Sequence, residues 1–193
     1  NNNFILTGPN ASGKTTLLKA IIINLLLSQQ TGFGFYKSSC FTPYHNIHCY
    51  LNIPDNCSRD SLFQAEARRC YKILQNIDKS PQEKHFCIFD ELFSGTNPYE
   101  AIASAYGYLD YISKNKNVIF VLTTHFDKLC KLLEKNSNIQ NKNMHCKIIK
   151  NKPKYYYKIK DGITNVKGGI CVLKELNYPN QIIKNTKKII SEI

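Results

Sequence analysis

The sequence predicts an α/β fold: a mainly parallel sheet flanked by helices, with a short antiparallel ribbon at one edge and helices towards the C-terminal end. Three observations predict it. Apolar runs of strand length alternate with longer stretches of helical spacing. A glycine-containing turn stands between the first apolar run and the first helical stretch. A later apolar run, Phe86-Cys87-Ile88-Phe89, ends in two adjacent carboxylic acids, Asp90 and Glu91.

Taken in order, residues 4–7 form a short apolar strand and residues 14–28 a strongly apolar helix. Residues 32–57 are looser, with β-type runs at 34–36 and 47–53. Residues 61–77 read as a helix whose apolar positions Leu62, Ala65, Ala67, Ile73, Leu74 and Ile77 fall along one stripe. A buried strand follows at His85–Asp90, then a helix at Pro98–Ser113 with proline in its first turn, where the missing N–H costs nothing. Residues 117–123 give another buried strand and 126–134 a helix. The polar stretch 136–143 reads as a loop. Residues 147–149 and 155–159 read as a two-stranded edge ribbon, whose lysines keep an edge from pairing with other chains. Two short helices close the chain, at 169–176 and 179–193. In the second, Ile182, Ile183, Thr186, Ile189, Ile190 and Ile193 make a stripe that fits either a core helix or a dimer contact. The first strand runs straight into the turn, so further sheet is expected upstream of this chain.

At 193 residues the chain is long enough for one well-cored domain. Its longest apolar stretch, 17–27, is interrupted by Lys19 and Asn24 and is too short to span a bilayer. The first residues have neither the charge nor the cleavage site of a signal peptide. These features give an intracellular protein with no membrane partner, cytoplasm and nucleus being equally compatible. The formal net charge of +12 favours polyanionic partners. Against that, the only arginines are Arg59, Arg68 and Arg69, and groove readers lean on arginine. DNA contact and a merely solvated lysine surface both remain open. Among the eight cysteines there is no CxxC pair. Cys40, His45, His48, Cys49 and Cys57 are zinc-type ligands, but their spacing matches no common zinc module, and scattered buried thiols are the plainer reading.

The chemistry concentrates in three places. Gly8-Pro9-Asn10-Ala11-Ser12-Gly13-Lys14-Thr15 fits GxxxxGK[ST] in full and lies between a strand and a helix, as the motif requires. Such a loop turns its backbone N–H groups towards phosphate oxygens at a helix N-terminus. Lys14 is expected to reach the β- and γ-phosphates of ATP, and the Thr15 hydroxyl to ligate Mg²⁺. Asp90 is the second magnesium candidate, directly or through water. Glu91 stands where it can orient or deprotonate an attacking water. His125 follows the strand at 117–123 and lies at its C-terminal end, beside the nucleotide in an open α/β sheet.

The segments GPNASGKTT at 8–16, DELFSGTNPYE at 90–100 and TTHF at 123–126 together resemble the C-terminal ATPase domain of MutS-type DNA mismatch-repair proteins, a branch of the ABC-type P-loop ATPases. Ser61-Leu62-Phe63-Gln64-Ala65-Glu66 is similar to that family's S-x-F-x-x-E segment. Lys160-Asp161-Gly162-Ile163 and Leu176-Asn177-Tyr178-Pro179 are similar to the segments that close the domain before a helical dimerisation tail. The departures are Ala11-Ser12 in the loop, a change the loop tolerates, Ser94–Pro98 in the interface segment, which looks more like a divergent MutS-like branch, and Val166-Lys167-Gly168-Gly169, which bears on packing near the tail more than on the chemistry. The resemblance implies an ATPase domain over 1–178 and the start of the tail over 179–193. It implies phosphate contacts from Gly8 through Thr16, Asn10 included. Ser61 is implied to reach the nucleotide of a second MutS-type subunit, identical or not, and Thr96 and Asn97 to lie at the interface between subunits. Double-stranded DNA is the implied partner, held through domains outside this chain. The competing class is another ABC-type ATPase, chromosome-organising or transporting, but its LSGGQ signature is absent.

Overall fold

The computed structural model describes residues 3–51, 61–149, 152–164, 166 and 168–192. One six-stranded sheet organises the chain, in the order β2-β3-β4-β1-β5-β6. The first five strands run parallel: β1 (Asn3–Thr7), β2 (Asn46–Tyr50), β3 (His85–Asp90), β4 (Val118–Thr124) and β5 (Ile139–Ile149). Only β6 (Lys152–Asp161) is antiparallel, against β5. Parallel strands need crossovers, and four helices supply them: α1 (Lys14–Thr31), α2 (Leu62–Lys79), α3 (Pro98–Ser113) and α4 (Asp127–Leu133); α5 (Gly169–Glu175) and α6 (Asn180–Glu192) follow the last strand.

Two cores lie on the two faces of this sheet. On one face α1 buries Leu18, Ile22 and Leu25 against Phe86, Ile88 and Val121. On the other, α2, α3 and α4 cover a larger cluster built on Phe89, Phe120, Leu109, Ile112 and Leu129. The side chains of β3 therefore divide between the two cores, Phe86 and Ile88 to one and Cys87 and Phe89 to the other, by the two-residue period of a strand. The sheet's middle is fixed by Asn3. Its side-chain oxygen accepts from the Phe120 N–H at 2.9 Å and its amide donates to the Asn138 carbonyl at 3.1 Å, pinning β1 to its neighbours on both sides. All three closely packed strand ends, Thr7, Asp90 and Thr123, thus arrive at the same edge of the sheet.

Several boundaries differ from expectation. The polar stretch 136–143 is not all loop: β5 begins at Ile139 and pairs with β1 from Asn3↔Ile139 to Thr7↔Asn143. Its polar side chains find partners instead of marking a turn; Asn141 donates to the Cys130 carbonyl at 3.1 Å and Asn143 to the Asp161 and Gly162 carbonyls. The ribbon is correspondingly longer than expected, and of its two strands β6 is the outer one. Residues 34–36 form no strand; Asn24 accepts from the Phe35 N–H at 2.5 Å and bends the chain back onto α1. The strand expected at 47–53 covers Asn46–Tyr50, and residues 52 and 53 lie outside the described residues. On α2 the buried stripe is Glu66, Cys70, Ile73 and Ile77, while Leu62, Ala65, Ala67 and Leu74 are only half-buried. On α6 Ile183 is buried, whereas Ile182 and Ile189 are exposed; Ile193 lies outside the described residues.

The zinc-type residues do not gather. His48 stacks on His85, His45 accepts from the Lys84 N–H at 3.1 Å, and Cys40 and Cys49 are exposed. Among the described residues no three of His, Cys, Asp and Glu are grouped so as to hold a metal ion by themselves; Cys57 lies outside them. Among the same residues no helix is long and apolar enough to cross a membrane.

Candidate active site

The loop from Gly8 to Gly13 is a backbone device. It leaves the buried end of β1 and enters α1 at Lys14, with Gly13 as the N-cap at φ +93° and Ala11 also left-handed at φ +62°. Only glycine takes such a φ without strain, and at Gly13 a side chain would also meet the Tyr157 ring at 3.3 Å. The N-terminus of α1 has no side-chain cap, so its first N–H groups remain for an outside acceptor. Ser12 is buried, and its hydroxyl has no hydrogen-bond partner although such groups nearly always have one. Asn10 and Ala11 are exposed, Thr16 is exposed on the first turn of α1, and Gly8 and Pro9 line a cleft of about 550 Å³ beside Glu91 and His125.

Lys14 is buried, and its ammonium donates to the Gly8 carbonyl at 2.9 Å and the Pro9 carbonyl at 3.4 Å. Burial lowers its pKa, while the nearby Glu91 and Asp90 act in the opposite direction. Thr15 donates to Asp90 at 2.9 Å, and Thr123 donates to the other oxygen of the same carboxyl group. Asp90 is therefore held at both oxygens by hydroxyls from α1 and β4, a placement that follows from the register Asp90↔Thr123. Glu91 leaves the strand with φ +54° and its N–H donates to the Thr123 carbonyl at 3.0 Å. Its carboxylate lies 3.6 Å from His125 Nδ1. The His125 imidazole, and then the Lys14 ammonium, hold the Glu91 carboxyl below the ordinary range against burial, which raises it. A charged carboxylate at neutral pH follows.

Most of the sequence-derived residues thus meet at one end of the sheet: the loop, Lys14, Thr15, Asp90, Glu91 and His125. Ser61 does not join them. It is the exposed N-cap of α2, with a capping box in which its hydroxyl accepts from the Gln64 N–H at 3.4 Å and Gln64 accepts from the Ser61 N–H at 3.2 Å. Asn97 caps α3 through the N–H groups of Tyr99 and Glu100, and Thr96 donates to Glu100.

Three contributions carry no assigned role in the sequence reading. Thr123 stands there only within the TTHF segment that carries the resemblance, without its contact to Asp90. Tyr155 and Tyr157 of β6 close over the loop; the Tyr155 hydroxyl donates to the Asn10 carbonyl at 3.2 Å, and Tyr157, left-handed at φ +52°, lies against Gly13. Glu66 is the third. It is 2% exposed, and its carboxyl group accepts from Ser94 N at 3.1 Å, Ser94 Oγ at 2.8 Å and Gly95 N at 3.0 Å. It joins α2 to the segment that follows Glu91. Gly95 sits so close to α2 that an added Cβ would stand 2.7 Å from both Leu62 Cγ and the Phe63 nitrogen. With Thr15, Asp90 and Glu91, Glu66 also lines a second cleft of about 330 Å³.

The donor set fits a magnesium nucleotide. A loop of inward N–H groups, a lysine and an orphan serine hydroxyl suit phosphate oxygens. A threonine hydroxyl beside one aspartate suits Mg²⁺, which commonly takes one or two carboxylates and keeps its waters.

Compared with known proteins, residues 4–193 match the model of a family described as MutS domain V. The chain is similar to the DNA mismatch repair protein MutS of Staphylococcus aureus strains JH9, Newman and N315, 26% identical over 190 residues. That overlap takes in 98% of this chain and 21% of each relative, so the chain spans about a fifth of the length of the curated relatives it matches.

Proposed function

Because this chain belongs to the MutS family, as its domain V, we propose that it binds and hydrolyses Mg-ATP and that the nucleotide cycle switches a DNA mismatch-repair protein between DNA-bound states. One observation carries the reading: Asp90 is fixed by Thr15 and Thr123 beside a loop of GxxxxGK[ST] form, with the Glu91–His125 pair at its side.

The loop N–H groups from Gly8 to Thr16 and the Lys14 ammonium take the phosphates. Thr15 and Asp90 hold Mg²⁺, which when bound neutralises phosphate charge. Tyr157, exposed beside Gly13, offers its ring to the base. Glu91, charged and steadied by His125, orients water or accepts its proton. Such sites work by positioning and charge stabilisation. Ser61 is exposed and faces outward from α2, which suits a contact with the nucleotide of a second subunit, identical or not. Thr96 and Asn97, on the segment held by Glu66, belong to that same interface. DNA is held by parts of the protein outside this chain.

The test is steady-state ATP hydrolysis by the full protein, with and without duplex DNA carrying a mismatch, alongside Glu91→Gln. Hydrolysis that depends on Glu91 and changes with mismatched DNA supports the reading. Full turnover in Glu91→Gln removes Glu91 from its role, and hydrolysis indifferent to DNA removes the switch.

A further inference from the structure

The two faces of the β5–β6 ribbon are built differently. One face belongs to the phosphate loop. Met144, Cys146, Tyr155 and Tyr157 lie on it; Met144 Cβ stands 3.1 Å from where a Gly8 side chain would begin, and Tyr155 and Tyr157 make the loop contacts described above. Strand residues alternate, so the intervening positions turn away from the loop. Those positions are Asn143, His145, Lys147 and Ile149 on β5 and Lys152, Lys154, Tyr156, Lys158 and Lys160 on β6.

All five lysines are exposed. Lys147 and Lys154 are directly opposite each other in the ladder, an arrangement that costs stability because like charges face across the strands. The ribbon's one acid, Asp161, is paired with Lys142. Among the described residues none of the five lysines has a carboxylate within ion-pair distance. His145 and Tyr156 stack in the middle of the face with centroids 4.6 Å apart, and the Lys154 ammonium lies over the Tyr156 ring at 5.5 Å. Partial burial, then Lys160, Lys147 and Lys158, lower the pKa of His145.

Protection of an edge strand explains lysines on β6. It covers as well the β5 segment beyond Asn143, which has no β1 partner among the described residues, but it does not explain why Lys147 stands directly opposite Lys154. A row of cations that repel one another is stabilised by a polyanion. The one aromatic group on the face is already engaged by His145 and Lys154, so it offers little to unstacked bases. Lysine without arginine suits point contacts to phosphates more than reading of base edges.

We propose that the outward face of the ribbon, through Lys147, Lys152, Lys154, Lys158 and Lys160, binds the phosphate backbone of double-helical nucleic acid without regard to sequence. This contact lies within the chain itself, separate from the DNA-holding parts outside it, and does not depend on the nucleotide reading.

The experiment is the affinity of the full chain, without nucleotide, for a short fully paired DNA duplex between about 50 and 200 mM salt. A variant combining Lys147→Gln, Lys154→Gln, Lys158→Gln and Lys160→Gln is compared with one carrying arginine at the same four positions. The glutamine variant is expected to bind at least about tenfold more weakly at the low-salt end, with a log–log salt slope shallower by about 3 to 4, since each duplex phosphate contact contributes about 0.9. The arginine variant keeps both. Unchanged affinity and slope in the glutamine variant overturn the proposal. So does polyglutamate that displaces the duplex as well as unlabelled duplex does, because the face would then fit an acidic protein. If the glutamine variant melts well below the parent, Lys158→Glu alone asks the same question: a threefold or greater loss supports the contact and no loss overturns it.

Discussion

The centre of the sheet and its β5–β6 edge solve different problems with different residues. The strands β3 and β4 are apolar along nearly their whole length and buried on both faces, and they deliver Asp90 and Thr123 to one point. The ribbon is made of Asn, Lys and Tyr, is exposed along much of β6, and carries a register shift between Met144 and Cys146 opposite Tyr157. Bulges of this kind re-aim a side chain, and this one brings Tyr157 to the loop. The rigid centre holds the groups assigned to chemistry; the polar edge holds those assigned to recognition.

The comparison breaks most visibly if central substitutions spare hydrolysis. Glu91→Gln should lower ATP turnover by about 10²–10⁴-fold while nucleotide still binds, read by single-turnover hydrolysis and by titration with a fluorescent nucleotide. Lys14→Ala should weaken nucleotide binding by about 2–3 kcal/mol, one to two orders of magnitude, read by the same titration. Glu66→Ala should cost about 2 kcal/mol in urea unfolding, because the Ser94 and Gly95 N–H groups lose their acceptor. Tyr157→Ala sharpens the other side. The ring is 68% exposed, so the melting temperature should barely change, whereas nucleotide affinity should fall by about 1–2 kcal/mol if the ring stacks on the base.

The smallest effect concerns acid. His48 and His85 share a buried ring-to-ring contact at 3.1 Å, and burial first, then His85, lowers the His48 pKa below 6.5. The unfolded chain therefore takes up this proton at a higher pH than the folded one. Stability from the pair is complete above pH 6.5 and declines as pH falls below it. Melting temperatures followed from neutral to mildly acidic pH should fall less steeply in His48→Gln than in the parent.

The centre was legible in the sequence because its signals are local. His85–Asp90 and Pro98–Ser113 coincide with their expected bounds, and the apolar run before Asp90 and Glu91 announces both strand and acids. The edge was legible only in part: the ribbon at 147–149 and 155–159 was, but the first half of β5 was not, because it lacks the apolar run by which a buried strand is recognised. Residues such as Asn141 and Asn143 are polar and still belong to a ladder, since their partners lie far off in the chain. Glu66 is visible as the end of the S-x-F-x-x-E segment, but its partners were hidden for the same reason. An acid on a buried helical stripe looks like a break in the pattern until the segment at 94 and 95, far along the chain, is seen to fold onto it. Tyr157 depends on a left-handed turn in mid-strand, which no spacing rule anticipates.

Glu66 has a consequence on the clock of hydrogen exchange. The segment after Glu91 is surface loop by location, and amides in such loops ordinarily trade their hydrogens with water freely. Here the Ser94 and Gly95 amides are turned inward onto a carboxyl group that leaves the solvent only with α2. Their hydrogens can be replaced only when α2 lifts from the sheet. A stretch that looks like loop should therefore keep the time of the core, and the rate at which those two amides exchange is a direct reading of how often that helix comes away.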